Sequence, residues 1–221
     1  GIHQALLTAL KYQSESKSES SNEKHGRQLL QGVSSDGARL DQPFKVKHTG
    51  KGHTYVGCYE ADKLSASDSS VQALQPLAGL ELANLFLNTS IVNDIEERIW
   101  HKALVNCVIN PLTAFYRCTN GELFINAERE TKVHTLCEEL AHIIKQTHCP
   151  ISTTTAQIIS DTKTIALLTE KNTSSMLTDL KNGRALELEH LNRYFIRRAE
   201  QYAVPCPINL DLVNTLTKAS K

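Results

Sequence analysis

The segment from Trp100 to Pro111 constrains the fold more than any other, because a helix over these residues would be apolar around nearly all of its circumference. Such a helix is normally buried inside a protein. The exceptions are Lys102, Asn106 and Asn110, which follow one another at intervals of four residues and drift by only about 40° per step around a helix. The sequence therefore predicts a buried helix that carries one cation and two amides along one face.

These three residues, which we call the polar column, have two interpretations. Unpaired and buried, each member would cost on the order of 1–3 kcal/mol, and the lysine more. The partners that they need are either neighbouring helices, in an internal hydrogen-bond network, or a ligand. Pro111 is predicted to push Asn110 toward an extended geometry and to end or kink the helix there.

Charge and composition argue against several classes of function. The 24 basic and 24 acidic residues cancel, and no basic stripe stands out, so nucleic-acid binding is not expected. No apolar run is long enough to cross a bilayer, and the sequence is typical of a soluble, cytoplasmic protein. The six cysteines form no C-x-x-C pair, which indicates buried, reduced thiols. The histidines lack the spacing of a zinc site, so no metal is predicted.

The first third of the chain is predicted to contain a loop and strands. Residues 11–26 are mostly Ser, Glu, Lys and Asn, and bury too little apolar area to become ordered, so a mobile loop is expected there. The strand pattern follows from residue 29 onward. The predicted strands are 32–38, 44–49 and 53–58, the last two paired as a hairpin through the turn Gly50-Lys51-Gly52.

Beyond about residue 69 the pattern becomes helical to the end of the chain. Prolines punctuate it, since proline does not continue a helix. The boundary between the two parts is expected near residues 88–92. The predicted helices are 70–87, 92–117, 127–147, 151–170, 174–203 and 208–218.

Two features of the predicted helix 174–203 allow both a structural and a functional interpretation. The run Asn172 to Ser175 offers a good N-cap, and free N–H groups at a helix start also bind anions such as a carboxylate. Glu187 falls within the apolar stripe of this helix, where a carboxylate needs a cation or a donor. Its structural partner would be Arg184, one turn back. Its functional partner would be a ligand or Lys102 across a cleft.

Two motifs carry a resemblance to a known family. WHKALVNCVINPLTAFYRCTNGEL, from Trp100 to Leu123, resembles the central motif of the ketopantoate reductases (2-dehydropantoate 2-reductases). NTSSMLTDLKNGRALELEHLN, from Asn172 to Asn192, resembles their second helical motif. Residues 32–38 and HTGKGHTYVG (48–57) are similar to the strands that close the family's nucleotide-binding domain. The resemblance covers the chain from about residue 29 to residue 218.

The resemblance implies a fold, a reaction and a cofactor. The fold is an α/β remnant in residues 1–88, the C-terminal part of a Rossmann-like, NADP-binding domain, followed by an all-α substrate-binding and catalytic domain in 89–221. The reaction is the NADPH-dependent reduction of 2-dehydropantoate to pantoate in pantothenate biosynthesis. The partner molecule is a small 2-keto acid, and the family allows a homodimer.

The family's roles carry over onto matching positions. Lys102 matches the catalytic lysine, which donates a proton to the ketone oxygen, and Glu187 matches a catalytic glutamate beside cofactor and substrate. Ala38 matches a position whose backbone touches the cofactor, and Gly1 matches a glycine of the cofactor site. The substrate-contacting positions are matched by Asn106, Asn110, Asn120, Asn172, Thr173, Ser174 and Ser175.

The chain departs from the family pattern near its start. The glycine-rich G-x-G-x-x-G turn, the first strand and the phosphate-reading residues are absent, and an active-site asparagine of the family would lie just upstream of Gly1. His3 replaces a second expected glycine, and residues 11–26 look like an insertion. The chain as written is therefore expected to be inactive, and unable to hold NADP in the family's manner, without its N-terminal part.

Two alternatives to the ketopantoate reductase interpretation stay open. One is a different 2-keto acid reductase on the same scaffold, because the Lys and Asn pattern does not set the acyl preference. The other is a non-catalytic helical fragment that serves folding or dimerisation. The enzyme interpretation predicts that Lys102, Asn106, Ser175 and Glu187 converge on one cleft between the two domains. The structural alternative predicts that Ser175 only caps a helix and that Lys102 points to solvent.

Overall fold

The computed structural model describes residues 30–58, 88–149 and 151–220. The chain divides into two compact units, Gly1–Ile99 and Trp100–Lys221. The described part of the first unit is mainly strands, and that of the second is helical, which confirms the predicted fold class of a small sheet region followed by an all-α part. Gly1, the predicted loop 11–26 and the predicted helix 70–87 lie outside the described residues.

Five short strands build two sheets in the described part of the first unit. Strands β1 and β4 are antiparallel, and β4 and β5 are parallel, so that β4 is the central strand of a three-stranded sheet. Strands β2 and β3 form a separate antiparallel pair. The bounds are β1 Leu30–Ser34, β2 Gly37–Gln42, β3 Lys45–Gly50, β4 Thr54–Cys58 and β5 Thr89–Ile91.

The predicted hairpin through Gly50-Lys51-Gly52 is wrong, although strands do occupy both sides of it. Strand β3 pairs with the preceding strand, β2, whereas β4 pairs with β1. The side chain of Asp36 occupies the break between the two pairs and accepts a hydrogen bond of 3.0 Å from the N–H of Gly52. A Cβ atom at Gly52 would lie 2.2 Å from the carbonyl carbon of Ser35, so glycine is required there by close backbone approach and not by a hairpin turn.

Six α-helices and two short 3₁₀ turns are described in residues 88–149 and 151–220. The helices are α1 Ile95–Tyr116, α2 Ala127–Gln146, α3 Thr155–Leu168, α4 Ser175–Lys181, α5 Asn192–Gln201 and α6 Pro207–Ala219, and the 3₁₀ turns are Gly121–Phe124 and Glu187–Glu189. The middle of α1, from Leu104 to Ala114, is almost entirely buried in the core of this unit, as the apolar pattern predicts.

Helix α1 continues through Pro111, so the helix predicted over 92–117 is confirmed and the alternative that it ends at Pro111 is wrong. Proline has no N–H, so the carbonyl of Cys107, one turn earlier, loses its helical donor. The side chain of Asn192 replaces that donor, because its Nδ2 lies 2.9 Å from the Cys107 oxygen. Asn192 is fully buried and also donates to Oδ1 of Asn209 at 2.8 Å. A side chain from α5 therefore makes the bond that Pro111 cannot make.

The polar contacts of Asn192 extend to a buried carboxylate. Nδ2 of Asn209 donates to Oε1 of Glu139 at 2.8 Å. The backbone N–H groups of Ile208 and Asn209 also donate to the Glu139 carboxylate, at 2.8 and 2.7 Å, which satisfies the first turn of α6. Asn192, Asn209 and Glu139, which we call the buried polar chain, thus connect four helices: α1, α2, α5 and α6.

The single long helix predicted over 174–203 is also wrong. The segment forms α4, a 3₁₀ turn and α5, with a loop after α4. Gly183 has a φ of +63°, which lies outside the helical region and favours glycine. The N–H of Arg184 folds back onto the carbonyl of Asp179 at 2.9 Å. The Asn182-Gly183 pair, a known turn signal, marks where the helix ends.

Three other properties concern the described residues alone. None of their helices combines the length and apolar character needed to cross a membrane. Their His, Cys, Asp and Glu side chains form no group of three or more that is suited to a metal ion. Five cysteines are free thiols, of which Cys107, Cys118, Cys137 and Cys206 are buried, as predicted.

Candidate active site

The polar column runs from the surface into the core. Lys102 is exposed, Asn106 is half-buried, and Asn110 is buried with 8% of its surface accessible. The prediction that the whole column is buried is therefore wrong for Lys102, because the fully buried stretch of α1 begins only at Leu104. The column presents a cation at its open end and an amide at its closed end.

Thr113 lies on the face of α1 that carries the polar column, and it was not among the predicted site residues. It follows Lys102 by eleven residues, which is about three turns and leaves an angular offset of about 20°. Thr113 is fully buried, and its hydroxyl lies 2.7 Å from the hydroxyl of Ser174. The start of α4 therefore packs against the face of α1 that carries the polar column, at its buried end.

Ser174 is the N-cap of α4, which confirms the capping role predicted for this run but not for Ser175, which is the first residue of the helix. The Oγ of Ser174 accepts a hydrogen bond of 3.1 Å from the N–H of Leu177. Ser174 is buried, whereas Asn172, Thr173 and Ser175 are exposed. Helix α4 is only seven residues long, so the dipole effect predicted from a much longer helix is correspondingly weaker here.

The turn that carries Asn120 is paired with the segment before Ser174. The N–H of Asn120 donates to the carbonyl of Asn172 at 3.0 Å, and the N–H of Gly121 donates to that of Glu170 at 3.1 Å. A Cβ atom at Gly121 would lie 2.7 Å from Cβ of Glu170, so only glycine fits this approach. Asn120 is therefore held beside the Asn172 to Ser175 run by backbone hydrogen bonds.

The Asn120 side chain has one satisfied and one unsatisfied end. Its Nδ2 donates to Oγ1 of Thr169 at 2.9 Å. Its Oδ1 is buried and has no hydrogen-bond partner among the described residues. A buried acceptor without a donor is unfavourable, and such groups call for an explanation.

Glu122 stabilises the Asn120 turn from the other side. Its carboxylate accepts hydrogen bonds from the backbone N–H of Thr119, at 2.6 Å, and from the Thr119 hydroxyl, at 3.0 Å. These two bonds, the backbone one first, lower the pKa of Glu122 below its ordinary value of 4.5. The ionised form of Glu122 is thus the form that holds the turn.

Replacing Glu122 with glutamine should therefore lower thermal stability in a pH-dependent manner. Because the pKa of Glu122 is depressed in the folded state, its stabilisation is complete above the ordinary value of 4.5 and is lost as the pH falls through the lower folded-state value. Melting curves followed by circular dichroism should show a lower Tm for Glu122→Gln at pH 7 and a smaller difference in strong acid. A difference that grows in acid would contradict this assignment.

Glu187 does not occupy the core position that was predicted for it. It is exposed and lies in a 3₁₀ turn, because the predicted long helix is broken before it. The predicted structural partner, Arg184, instead forms an ion pair of 2.8 Å with Asp179. Within residues 30–58, 88–149 and 151–220, no cation lies at ion-pair distance from the Glu187 carboxylate.

A second interaction beside the polar column was also missed. Nδ1 of His101 lies 3.0 Å from Oδ2 of Asp161 on α3, and Nε2 of Gln157 donates to the other oxygen of that carboxylate at 2.8 Å. His101 adjoins Lys102 on α1. Sixty residues separate His101 from Asp161, so no local pattern could have indicated the pair.

The structure thus connects some of the predicted site residues and leaves others apart. The backbone N–H of Asn120 donates to Asn172, and Thr113, next to the backbone carbonyl of Asn110, contacts Ser174. Lys102 and Asn106 lie on the same side of α1 as Thr113, about three and two turns before it. Ala38 lies in β2 of the first unit, paired with His48 beside a β-bulge.

Comparisons with solved structures identify the fold. The structure of D-mandelate dehydrogenase with NADH aligns with a TM-score of 0.73 at 23% identity, over 86% of this chain and 62% of that chain. A dimeric ketopantoate reductase from Staphylococcus aureus aligns with a TM-score of 0.63 at 17% identity, over 89% of this chain and 63% of that chain. At these identities the likeness establishes the fold alone.

Sequence comparison identifies the family. The 2-dehydropantoate 2-reductase of Archaeoglobus fulgidus is 31% identical over 191 residues, which are 86% of this chain and 60% of that protein. The chain spans about three fifths of the length of the curated relatives it matches. The family model "Ketopantoate reductase PanE/ApbA C terminal" matches residues 94–220. The helical unit is therefore of the kind found in 2-keto acid reductases, and the chain belongs to the ketopantoate reductase family.

Proposed function

We propose that the protein to which this chain belongs reduces 2-dehydropantoate to pantoate with NADPH. Family membership supports the proposal, and one structural observation carries it. The polar column of Lys102, Asn106 and Asn110 ends against Ser174, through the hydroxyl contact of 2.7 Å with Thr113. This contact is compatible with a substrate site in which the cation and the amides of α1 act together with the hydroxyl-rich run that begins at Asn172.

In this proposal Lys102 is the catalytic residue for proton transfer. Reduction of a ketone places negative charge on its oxygen, which needs a proton and a nearby positive charge. The ammonium of Lys102 offers both, and its position at the exposed end of the column makes it accessible to a small molecule. The rigid, buried remainder of α1 holds the lysine in register with the two asparagines.

The remaining residues would bind and orient the keto acid. The amides of Asn106 and Asn110 line the column, and Asn120 is assigned to the substrate by the family pattern. The exposed residues Asn172, Thr173 and Ser175 are assigned to the carboxylate. Ser174, although it is in the same run, is assigned a structural part because its hydroxyl is already engaged.

The cofactor would supply the hydride to C2 of the keto acid. Two described residues that the family pattern assigns to it are compatible with that role. Ala38 is exposed in β2, where it pairs with His48 beside a β-bulge. Glu187 is exposed in the 3₁₀ turn Glu187–Glu189. Gly1, the third such residue, lies outside the described residues.

A second candidate function is the reduction of another 2-keto acid. The structural similarity to D-mandelate dehydrogenase with NADH favours this candidate, since the same helical fold there serves a protein named for a different substrate and solved with NADH. The proposal further includes a homodimer, by analogy with the dimeric Staphylococcus aureus relative, and a cytoplasmic location.

Steady-state kinetics of the intact protein would separate these candidates. We expect kcat/KM to be highest for 2-dehydropantoate with NADPH, when it is compared with phenylglyoxylate and pyruvate and with NADH in place of NADPH. A preference for phenylglyoxylate would favour the second candidate. Absence of any reduction, with the protein folded, would favour a non-catalytic helical module and contradict the proposed function.

A further inference from the structure

The Thr113 hydroxyl has three oxygen atoms within hydrogen-bond distance. Two belong to its own helix: the carbonyl of Ile109 at 2.7 Å and that of Asn110 at 3.0 Å. Contacts of this kind form locally in many helices. The third is Oγ of Ser174 at 2.7 Å, which lies sixty-one residues further along the chain. The last contact is tertiary and needs an explanation beyond helix formation.

The two hydroxyl groups and their backbone partners can all form hydrogen bonds at the same time. Ser174 Oγ accepts from the N–H of Leu177, and its own proton then needs an acceptor. If Ser174 donates to Thr113, and Thr113 donates to the Ile109 carbonyl, every donor has an acceptor. Consecutive hydrogen bonds of this kind strengthen one another in a buried environment. The hydroxyl of Ser174 is then fully used inside the protein.

The Asn172 to Ser175 run is consequently held at two points. At one end, the carbonyl of Asn172 accepts from the backbone N–H of Asn120. At the other end, Ser174 is bound to Thr113. The second attachment depends on a side chain, so a substitution can remove it. Between and beside these points, Thr173 and Ser175 are exposed.

We propose that Thr113 is a positioning residue for the keto acid, in that its hydroxyl fixes Ser174 and thereby the places of Thr173 and Ser175 relative to the polar column. This inference rests on the proposed function. Loss of the hydroxyl leaves Lys102 in place on α1, so it weakens substrate binding more than the proton transfer itself. Binding lost equally from ground state and transition state appears in KM and not in kcat.

The test compares Thr113→Val, which keeps the shape and removes the hydroxyl, with Thr113→Ser, which keeps the hydroxyl. Thr162→Val is the matched control, because Thr162 is also fully buried but lies on α3. In the intact protein, Thr113→Val should raise KM for the keto acid about three- to tenfold, the effect of one hydrogen bond, with kcat and KM for NADPH changed less than about twofold. Thr113→Ser and Thr162→Val should stay close to the wild type.

Several results would overturn the inference. These are an unchanged KM for the keto acid in folded Thr113→Val, a change confined to kcat, or a serine variant no better than the valine variant. If the wild type reduces no 2-keto acid, the proposed function has failed, and amide hydrogen exchange still decides the anchoring. Amide hydrogen exchange at Leu177 and Thr178 must then be faster in Thr113→Val than in the other two variants. Equal exchange rates in all three variants would refute the anchoring of Ser174 by Thr113.

Discussion

Replacement of Lys102 by alanine in the intact protein is expected to lower kcat about 10²–10⁴-fold without unfolding it. The lysine is exposed and lies before the buried stretch of α1, so truncating it removes no core contact. What is removed, in the proposed function, is the proton and the positive charge at the ketone oxygen. Because that charge matters mostly in the transition state, kcat and kcat/KM should fall together.

Two further variants make the Lys102 result specific. Lys102→Arg keeps the charge but donates a proton poorly, so it should retain part of the substrate affinity with a low kcat. Lys145→Ala, an exposed lysine in the last turn of α2, should leave the kinetics unchanged. Near wild-type kcat for Lys102→Ala, or loss of its folded circular dichroism spectrum, would show that the lysine is structural.

Replacement of Asn192 by alanine should have the largest effect on stability, about 2–5 kcal/mol in the free energy of unfolding. The change leaves two buried acceptors without donors, namely the Cys107 carbonyl and Oδ1 of Asn209. It also leaves a cavity where a fully buried side chain was. Denaturant unfolding gives the measurement, and Asn214→Ala on the exposed side of α6 should change it by no more than about 0.5 kcal/mol.

A double-mutant cycle with Pro111 tests the cause of the Asn192 effect. Alanine at position 111 restores the backbone N–H that the Cys107 carbonyl lacks. In that background, Asn192→Ala should therefore cost less than it does in the wild type, by about 0.5–3 kcal/mol. Strictly additive free energies would mean that Asn192 stabilises the protein through packing and its hydrogen bond to Asn209 and not through the Cys107 carbonyl.

The same pair of residues explains what the sequence could and could not predict about α1. An apolar pattern around a whole helix is a local property, and it correctly predicted burial from Leu104 onward. The helix was predicted over 92–117, with an end or a kink expected at Pro111 because of the local cost of proline. The side chain that offsets this cost comes from Asn192, eighty-five residues away from Cys107, and no local pattern announces such a partner.

The error over residues 174–203 has a different origin. The turn signal Asn182-Gly183 was present, but the spacing of the apolar residues on both sides was mistaken for one continuous stripe. The continuous helix predicted a core position for Glu187, with Arg184 as its structural partner, whereas Glu187 is exposed in a 3₁₀ turn. In the sheet region the strands were predicted correctly but their pairing was not. The pairs β1–β4 and β2–β3 are separated by the hydrogen bond between Asp36 and Gly52, and these two residues are sixteen positions apart in the sequence.

Much of the candidate site followed from spacing and from motif resemblance. Lys102, Asn106 and Asn110 share a face because of helix periodicity, and the N-cap preference for Ser and Thr predicted a cap in the Asn172 to Ser175 run, although at Ser175 and not at Ser174. Thr113 was missed, although its separation of eleven residues from Lys102 places it on the same face. Its importance depends on the contact with Ser174, which only the fold reveals.

The buried cysteines allow the opening of the helical unit to be measured by chemical labelling. Burial raises the pKa of Cys107, and it raises that of Cys137 to about 12, so neither is a reactive thiolate at neutral pH while the unit is closed. Alkylating reagents should therefore modify them only after local or global opening. Cys107 lies on α1, Cys137 on α2 and Cys206 at the start of α6. Mass spectrometry of labelling rates at these thiols would map which helices separate first, without any introduced probe.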